Sequence, residues 1–254
     1  MRLIVIILSV AALVLAAALA TLGPGTRFGL WDYATALGWM RNFLALPVLV
    51  AAAGAALAFL LALWKARGLA PLALVALIAA GAAGYAPIKM REMALSNPFI
   101  HDITTDFEHP PEIVAGANAE RKNPPEYVGD ELVRNSDKTV AEAQMEAFPD
   151  IQPLLLEAPV EKTTLAARGV LAQMKLKTIA EGPVSDESGS GWRIEATATS
   201  LWFGFTDDFI VRLTPTENDG TRVDIRSKSR VGLSDLGANA TRVREFLKKL
   251  DAAV

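Results

Sequence analysis

The stretch "RVDIRSKSRVGLSDLGANATRVREFL" (residues 222–247) decides the fold of the C-terminal half of the chain. Its first nine residues alternate, with apolar Val223 and Ile225 set against a charge at every second position from Arg222 to Arg230. Successive side chains of a strand point to opposite faces, so this alternation predicts a strand with one apolar side and one charged side. We expect the apolar side to face a core and the charged side to remain uncovered.

The second part of the stretch predicts a helix that begins at Asp235. Apolar residues recur at intervals of four and three from Leu236 to Leu250, which gives a single apolar stripe. Ser234 is a typical N-cap, and Asp235 in the first turn opposes the positive end of the helix dipole. The turn at Gly232 would then hold cations beside free backbone N–H groups, an arrangement that suits an anion.

Segments upstream predict the rest of an antiparallel sheet and its helices. Strands are predicted at about 103–107, 175–181, 192–202, 209–214 and 222–230, and helices at 139–148, 160–174 and from 235. Residues 182–191 read as a flexible turn and residues 215–221 as a hairpin turn. The chain from about 110 to 138 is irregular. The sum is an α+β fold with helices packed on one face of the sheet.

Three uncharged runs in the first part of the chain predict membrane-spanning helices. They cover residues 3–22, 43–64 and 69–88, and each reaches the roughly 20 apolar residues needed to cross a hydrocarbon core. Residues 1–96 contain seven Lys or Arg and two Asp or Glu, whereas residues 97–254 contain 18 and 26. This change predicts a membrane domain at 1–96 and a separate domain at 97–254, whose acidic balance argues against nucleic-acid binding.

Basic residues around these runs indicate which side the C-terminal domain occupies. Lys65 and Arg67 crowd a short loop and favour the cytoplasmic side for that loop, although basic residues also flank the opposite face. The sequence "ALAT" at 18–21 also fits a signal-peptide cleavage site. With or without cleavage, a cytoplasmic loop at 65–67 leaves 97–254 on the extracytoplasmic side.

Four segments of the C-terminal half resemble a bacterial family, the domain of unknown function (DUF) 1499. They are "HDITTDFEHPP" (101–111), "AFPDIQPL" (147–154), "WFGFTDDFIVRL" (202–213) and the 222–247 stretch. The resemblance covers about 97–250 and implies a position in the cell envelope, since other members carry a secretion or lipoprotein signal. We therefore expect a multi-pass protein of the bacterial inner membrane with a periplasmic domain. The family has no established activity, so the resemblance implies no catalytic residues.

The charged side of the 222–230 strand and the helix start that follows it form the first candidate site. The hypothesis is that an anionic group, such as a phospholipid headgroup, is bound by Arg226, Lys228, Arg230, Ser234, Asp235 and Asn239. The alternative is a solvated sheet face whose cations pair across strands with Glu195, Asp207 or Asp208.

A second group is predicted to line a pocket or a loop: His101, Asp102, Asp106, Trp202, Phe205, Asp207 and Asp208. The aromatic residues beside Gly204 fit either a membrane-dipping loop or a tight turn whose rings cap the core. Asp207 and Asp208 are adjacent on a strand and therefore point to opposite faces, so they are not a ready-made acid/base pair.

No metal or cofactor site is expected from the sequence. Cysteine is absent, the spacing of His101 and His109 matches no helical zinc motif, and no nucleophile elbow or phosphate-binding glycine motif is present. The leading hypothesis is therefore a non-enzymatic envelope protein that binds a lipid, an anionic ligand or another envelope protein. The alternative is an envelope hydrolase or other enzyme that uses His101 or Asp106 with Arg226 or Arg230.

Overall fold

The computed structural model describes residues 1–186 and 189–254. The described chain divides into two compact units. The first is Met1–Met93 together with Leu201–Gly204, and the second is Ala94–Ser200 together with Phe205–Val254. Each unit has buried apolar residues of its own.

The first unit consists of apolar helices. Among the described residues, three helical segments are long and apolar enough to cross a membrane: Arg2–Arg27, Tyr33–Lys65 and Arg67–Ser96. Each contains one of the three uncharged runs. Their regular parts are α1 (Arg2–Arg27), α2 (Tyr33–Trp39), a π-helical turn (Met40–Leu44), α3 (Ala45–Lys65), a 3-10 turn (Arg67–Leu69) and α4 (Ala70–Ser96).

Small residues form the contacts between these helices. Ala12 and Ala16 of α1, Ala55 of α3, and Ala76 and Ala80 of α4 belong to one buried cluster. Lipid is as apolar as a leucine side chain, so helices in a bilayer gain most from close backbone approach, which small residues permit. Large apolar side chains instead face outward, among them Leu3, Val14, Leu60 and Ile78.

The second unit is built on an antiparallel sheet. In the described ranges its six strands are β1 (Asp102–Thr104), β2 (Leu154–Leu156), β3 (Lys177–Asp186), β4 (Gly189–Thr199), β5 (Thr206–Pro215) and β6 (Thr221–Ser229). Their order is β1-β6-β5-β4-β3, and β2 also pairs with β6. The short strands β1 and β2 therefore lie one after the other along the edge of β6 that β5 does not occupy.

Helices α5 (Val140–Ala147), α6 (Val160–Gln173) and α7 (Ala238–Asp251) build the core of this unit together with the sheet. Phe209 and Ile225 from the sheet and Phe246 from α7 are fully buried, and the two phenylalanine rings meet edge to face with centroids 5.2 Å apart. Thr139 begins α5 with a reciprocal capping box to Glu142. The predicted α+β fold is confirmed.

Several predicted boundaries are wrong. Helix α7 begins at Ala238 rather than 235, because Leu236 and Gly237 have left-handed φ angles of 58° and 83°, which interrupt the helical backbone. Strand β1 ends at Thr104, and the short strand β2 was not predicted. Strands β3 and β4 extend into the predicted 182–191 turn, whose central residues 187–188 lie outside the described ranges.

Strand β3 forms one edge of the sheet. Its pairing with β4 shifts register between Thr178 and Ala180, which marks a bulge, and Pro183 further along lacks a backbone N–H. The opposite edge is occupied by β1 and β2, so each side of the sheet ends in an irregular or short strand.

The second face of the sheet is contacted by residues 105–127, called the cover segment below, through side chains and backbone groups from Asp106 to Tyr127. Most of it lacks regular secondary structure, yet Lys122 and Asn123 donate backbone hydrogen bonds to the carbonyl of Arg230 (2.9 and 3.0 Å). The Asn123 side chain donates to the carbonyls of Ser229 and Gly232 (2.9 and 2.8 Å). These hydrogen bonds hold the cover segment at the C-terminal end of β6.

Candidate functional site

The expectation that the charged side of β6 remains uncovered is wrong for its three central residues, whereas the side chains of Arg222 and Arg230 at the two ends are 42% and 16% exposed. Asp224 is 1% exposed, Arg226 2% and Lys228 0%. The reason is that the cover segment and neighbouring strands supply acceptors for these cations, and a buried charge is tolerated where it is paired and hydrogen-bonded. We call these side chains and their buried partners the charged layer.

Asp102 of β1 lies opposite Lys228 of β6 and pairs with two cations. Arg226 donates to both carboxylate oxygens through Nε and Nη2, each at 2.9 Å, and Lys228 Nζ lies 3.1 Å from Oδ2. Arg226 also donates to the carbonyls of Pro111 and Pro125 in the cover segment (3.3 and 3.0 Å). Burial, and then the charge of Arg226, lower the pKa of Lys228, whereas Asp102 opposes them.

Asp106, in the cover segment, ties that segment to β5 and β6. Its Oδ2 accepts hydrogen bonds from Arg212 (2.9 Å) and Arg222 (3.0 Å), and its Oδ1 accepts the backbone N–H of His109 (2.9 Å). Both arginines also donate to Asp224. Both oxygens of Asp106 are therefore already engaged by the chain.

Asp208 of β5 forms the third paired group of the layer. Arg230 donates to it through Nε (3.1 Å) and Nη2 (2.6 Å), and Arg121 of the cover segment donates through Nη1 (3.0 Å). The pairing alternative is thus confirmed for Arg230 with Asp208. The alternative also expected such pairs to be exposed to solvent, but Asp208 is buried, with 1% of its surface exposed.

Glu195 of β4 holds the cover segment through backbone groups. Its carboxylate accepts the N–H groups of Val114 (3.1 Å), Ala115 (3.0 Å) and Gly116 (3.2 Å), and Arg193 Nε lies 3.1 Å from it. Three successive N–H groups around one carboxylate form an anion-binding concavity, and here the anion is a side chain of the protein.

The predicted anion corner at the start of α7 is filled by Asp235. Its carboxylate accepts the backbone N–H groups of Gly237 (2.9 Å) and Asn239 (2.7 Å), which are the groups expected to bind a ligand. Ser234 is not the N-cap; its hydroxyl accepts the N–H of Leu236 (3.2 Å) within the preceding turn. Burial raises the pKa of Asp235 to about 6, against those two hydrogen bonds.

Asn239 is fully buried and links α7 to β6. Its Oδ1 accepts a hydrogen bond from Ser227 (2.7 Å), and its Nδ2 donates to the hydroxyl of Ser229 (3.0 Å). Arg242 of α7 donates to Asp207 (2.9 Å). Asp207 and Asp208 therefore use different partners on opposite faces, as their adjacency predicts.

His101 and Asp106 are not brought together with Arg226 and Arg230. Asp106 binds Arg212 and Arg222 instead. Arg226 pairs with Asp102, the residue that follows His101, and not with His101 itself. Burial lowers the pKa of His101, and no partner in the described chain reaches its buried Nε2. The structure therefore does not assemble the predicted catalytic combination.

The family "Protein of unknown function (DUF1499)" matches residues 102–250, more than half of the chain. The chain belongs to the DUF1499 family. No curated protein shows significant similarity to it. The match begins at Asp102 of the charged layer and ends at Leu250 of α7, so it takes in the whole sheet.

Two residues of the predicted loop, Trp202 and Phe205, belong to different units of the structure. Phe205 closes a turn by accepting the N–H of Ser200 (2.8 Å) and donating to its hydroxyl (2.9 Å), with Gly204 at a left-handed φ of 75°. The turn is tight, as one interpretation predicts, but Trp202, Phe203 and Phe205 do not belong to the buried core cluster of the second unit, so the predicted capping of that core by the rings is not seen. Trp202 belongs to the first unit, where its indole N–H donates to the carbonyl of Ala20 (3.1 Å).

No group of three or more His, Cys, Asp or Glu in the described ranges has a geometry that suits a metal ion. Sequence reasoning missed two arginines of the charged layer, Arg121 and Arg212. Arg212 alternates with apolar neighbours on β5, so its position opposite Asp224 follows from strand register. Arg121 lies in the irregular cover segment, where no periodicity predicts its position.

Proposed function

We propose that the chain is a multi-pass protein of the bacterial inner membrane that holds its DUF1499 domain in the periplasm. Support comes from three helices that are long and apolar enough to cross a membrane and from the short loop with Lys65 and Arg67. A cytoplasmic loop at that point, followed by one further crossing, leaves the C-terminal domain outside. The same side results if the first helix is removed by cleavage.

Reporter fusions test this arrangement in a Gram-negative bacterium. We expect alkaline phosphatase fused after Val254 to be active and green fluorescent protein at the same site to be dark, because the first needs the periplasm and the second the cytoplasm. Fusions after Ala66 serve as the matched control and should give the opposite pattern. A fluorescent fusion after Val254 with inactive phosphatase would overturn the proposal.

The domain is proposed to bind another molecule rather than to catalyse a reaction. The observation that carries this is the engagement of Asp106, Asp102 and Asp208 by arginine, which leaves these carboxylates without a free position for acid/base work. The proposed partners are a lipid, an anionic ligand or another envelope protein. Anion binding by Arg226, Lys228 and Arg230 would first require the cover segment to move.

Co-purification distinguishes these partners. Full-length protein extracted in mild detergent is analysed by mass spectrometry for bound lipids and proteins, beside an unrelated three-span membrane protein as control. We expect a lipid or an envelope protein that is enriched over the control. If His101→Ala purified as a folded protein with an accumulated small-molecule substrate, the enzyme alternative would be favoured instead.

A further inference from the structure

A groove on the first unit runs between α1 and α4. It has a volume of about 490 Å³ and is lined by leucine and alanine side chains from residues 13–20 of α1 and 79–86 of α4, with Trp202 beside them. The Trp202 indole N–H is held by the carbonyl of Ala20 at 3.1 Å, which fixes the ring against α1. The remaining lining side chains carry no hydrogen-bonding group.

The position of the groove along the chain points to its occupant. Apart from Trp202, its lining residues lie inside the uncharged runs 3–22 and 69–88, so in a bilayer the surrounding medium is lipid acyl chain. We propose that this groove is a binding site for an acyl chain of an anionic glycerophospholipid. The inference deepens the proposed function and rests on the helices crossing a bilayer as described there, with the first helix retained in the mature protein.

Charge at one end of the groove supports an anionic headgroup. The lining positions of α1 recur at helical spacing up to Ala20, and the same face continues to Arg27 seven residues later. On α4, Lys89 lies three residues beyond Ala86 and follows the same face. Both helix faces therefore end in a cation, where the phosphate of a lipid with its tail in the groove would lie.

The two cations are held near this end by local contacts. Arg27 donates through Nη1 to the carbonyl of Leu201 (2.6 Å), and Lys89 pairs with Glu92 at 3.1 Å on an exposed surface. Leu201 is 90% exposed, so an apolar side chain stands free beside Arg27, an arrangement suited to a lipid interface. An exposed pair such as Lys89–Glu92 is weak and leaves the ammonium able to meet a phosphate.

Photolabelling of the full-length protein tests this site. The protein is reconstituted with phosphatidylglycerol that carries a diazirine in one acyl chain, irradiated and mapped by peptide mass spectrometry. We expect labels concentrated on residues 13–20 and 79–86, several-fold above the outward faces elsewhere on the three helices. Labels spread evenly over all lipid-facing surfaces would mean ordinary boundary lipid and would overturn the proposal.

Variants that fill the groove give a matched comparison. Ala17→Phe and Ala82→Phe place a ring on exposed groove positions and should reduce labelling there at least fivefold, whereas Ala11→Phe, on an exposed position of α1 that does not line the groove, should not. Lys89→Gln should lower the preference for phosphatidylglycerol over phosphatidylcholine. Unchanged labelling in both groove variants would refute the site while leaving the topology measured by the fusions intact.

Discussion

Arg226 and Asp102 face each other through two hydrogen bonds of 2.9 Å, with the guanidinium and the carboxylate both buried. Such a bidentate pair is geometrically specific, and it joins β6 to β1 beneath the cover segment. Removal of one partner leaves the other charge buried without compensation, which costs more than the pair itself contributes. Substitutions in the charged layer are therefore expected to be strongly destabilising.

Asp102→Ala is therefore expected to destabilise the protein by about 3–5 kcal/mol, because Arg226 and Lys228 would lose their shared counter-ion. The measurement is chemical denaturation of the full-length protein in detergent, followed by tryptophan fluorescence. Asp150→Ala is the control, since Asp150 pairs with Arg244 on the surface. That exposed pair should contribute about 1 kcal/mol or less, and equal losses for both variants would contradict the prediction.

Gln144→Leu is expected to destabilise the protein by about 1–3 kcal/mol for each buried backbone group that it leaves unpaired. The Gln144 amide accepts the N–H of Thr104 (3.0 Å) and donates to its carbonyl (2.6 Å), so it completes the pairing of β1 from the side of α5. Gln152→Leu, on an exposed side chain, is the comparison in the same unfolding assay. A loss below that of the comparison would show that water replaces the amide.

Two glycine substitutions should have opposite signs. At Gly116 a Cβ would lie 2.6 Å from Asp208 Oδ1, which Arg121 and Arg230 hold in place, so Gly116→Ala should cost about 1–3 kcal/mol. At Gly169, inside α6, a Cβ meets nothing within 4 Å, and Gly169→Ala should add about 0.5–1 kcal/mol through helix propensity. Thermal unfolding of the two single variants checks both signs, and a stabilising Gly116→Ala would show that the cover segment moves freely.

Asp235→Asn should change how stability depends on pH. The pKa of Asp235 is raised to about 6, above its ordinary 3.8, so the folded chain binds this proton more tightly than the unfolded chain does. The contribution of Asp235 to stability therefore falls as pH rises from about 4 to 6 and is constant above that window. The neighbouring charges are Asp207, which raises this pKa, and Arg242, which lowers it.

The natural protein loses this contribution as pH rises from about 4 to 6, and the variant does not. The free energy of unfolding of the variant should therefore rise relative to that of the natural protein across this window, by at most about 3 kcal/mol for a pKa two units from its ordinary value. Asparagine can still accept one of the two backbone hydrogen bonds at this position. Melting temperatures measured from pH 4 to pH 8 check the trend. Parallel curves for the two proteins across this range would mean that Asp235 titrates normally.

The sequence predicted those elements whose own periodicity carries the signal. The alternation around Val223 and Ile225 and the apolar stripe of α7 both correspond to buried faces in the structure. The sequence predicts that α7 starts too early, because Ser234 and Asp235 are residue types that commonly begin a helix. The helix starts only after Gly237, whose backbone is left-handed. Local cap chemistry is consistent with either boundary, and the left-handed backbone at Leu236 and Gly237 decides between them.

The candidate site could not be predicted because its exposure depends on residues far away in the chain. Alternating charge on a strand predicts a solvent-exposed face. The cover segment has no periodic pattern, so the sequence does not predict that this segment lies on the sheet. Its contacts, such as Arg121 with Asp208 across 87 positions, are set by the tertiary fold alone. Asp106 accepts hydrogen bonds from arginines of the sheet, and Glu195 accepts them from the backbone of the cover segment. These contacts bury a strand face that the sequence predicted to be a binding surface.

The interrupted edge at β3 has a consequence for how this protein behaves at high local concentration in a crowded membrane. A bulge after Thr178 and a proline at 183 interrupt the row of backbone donors that a second chain would need in order to add a strand. Copies of the domain that collide there should separate again rather than grow into fibres.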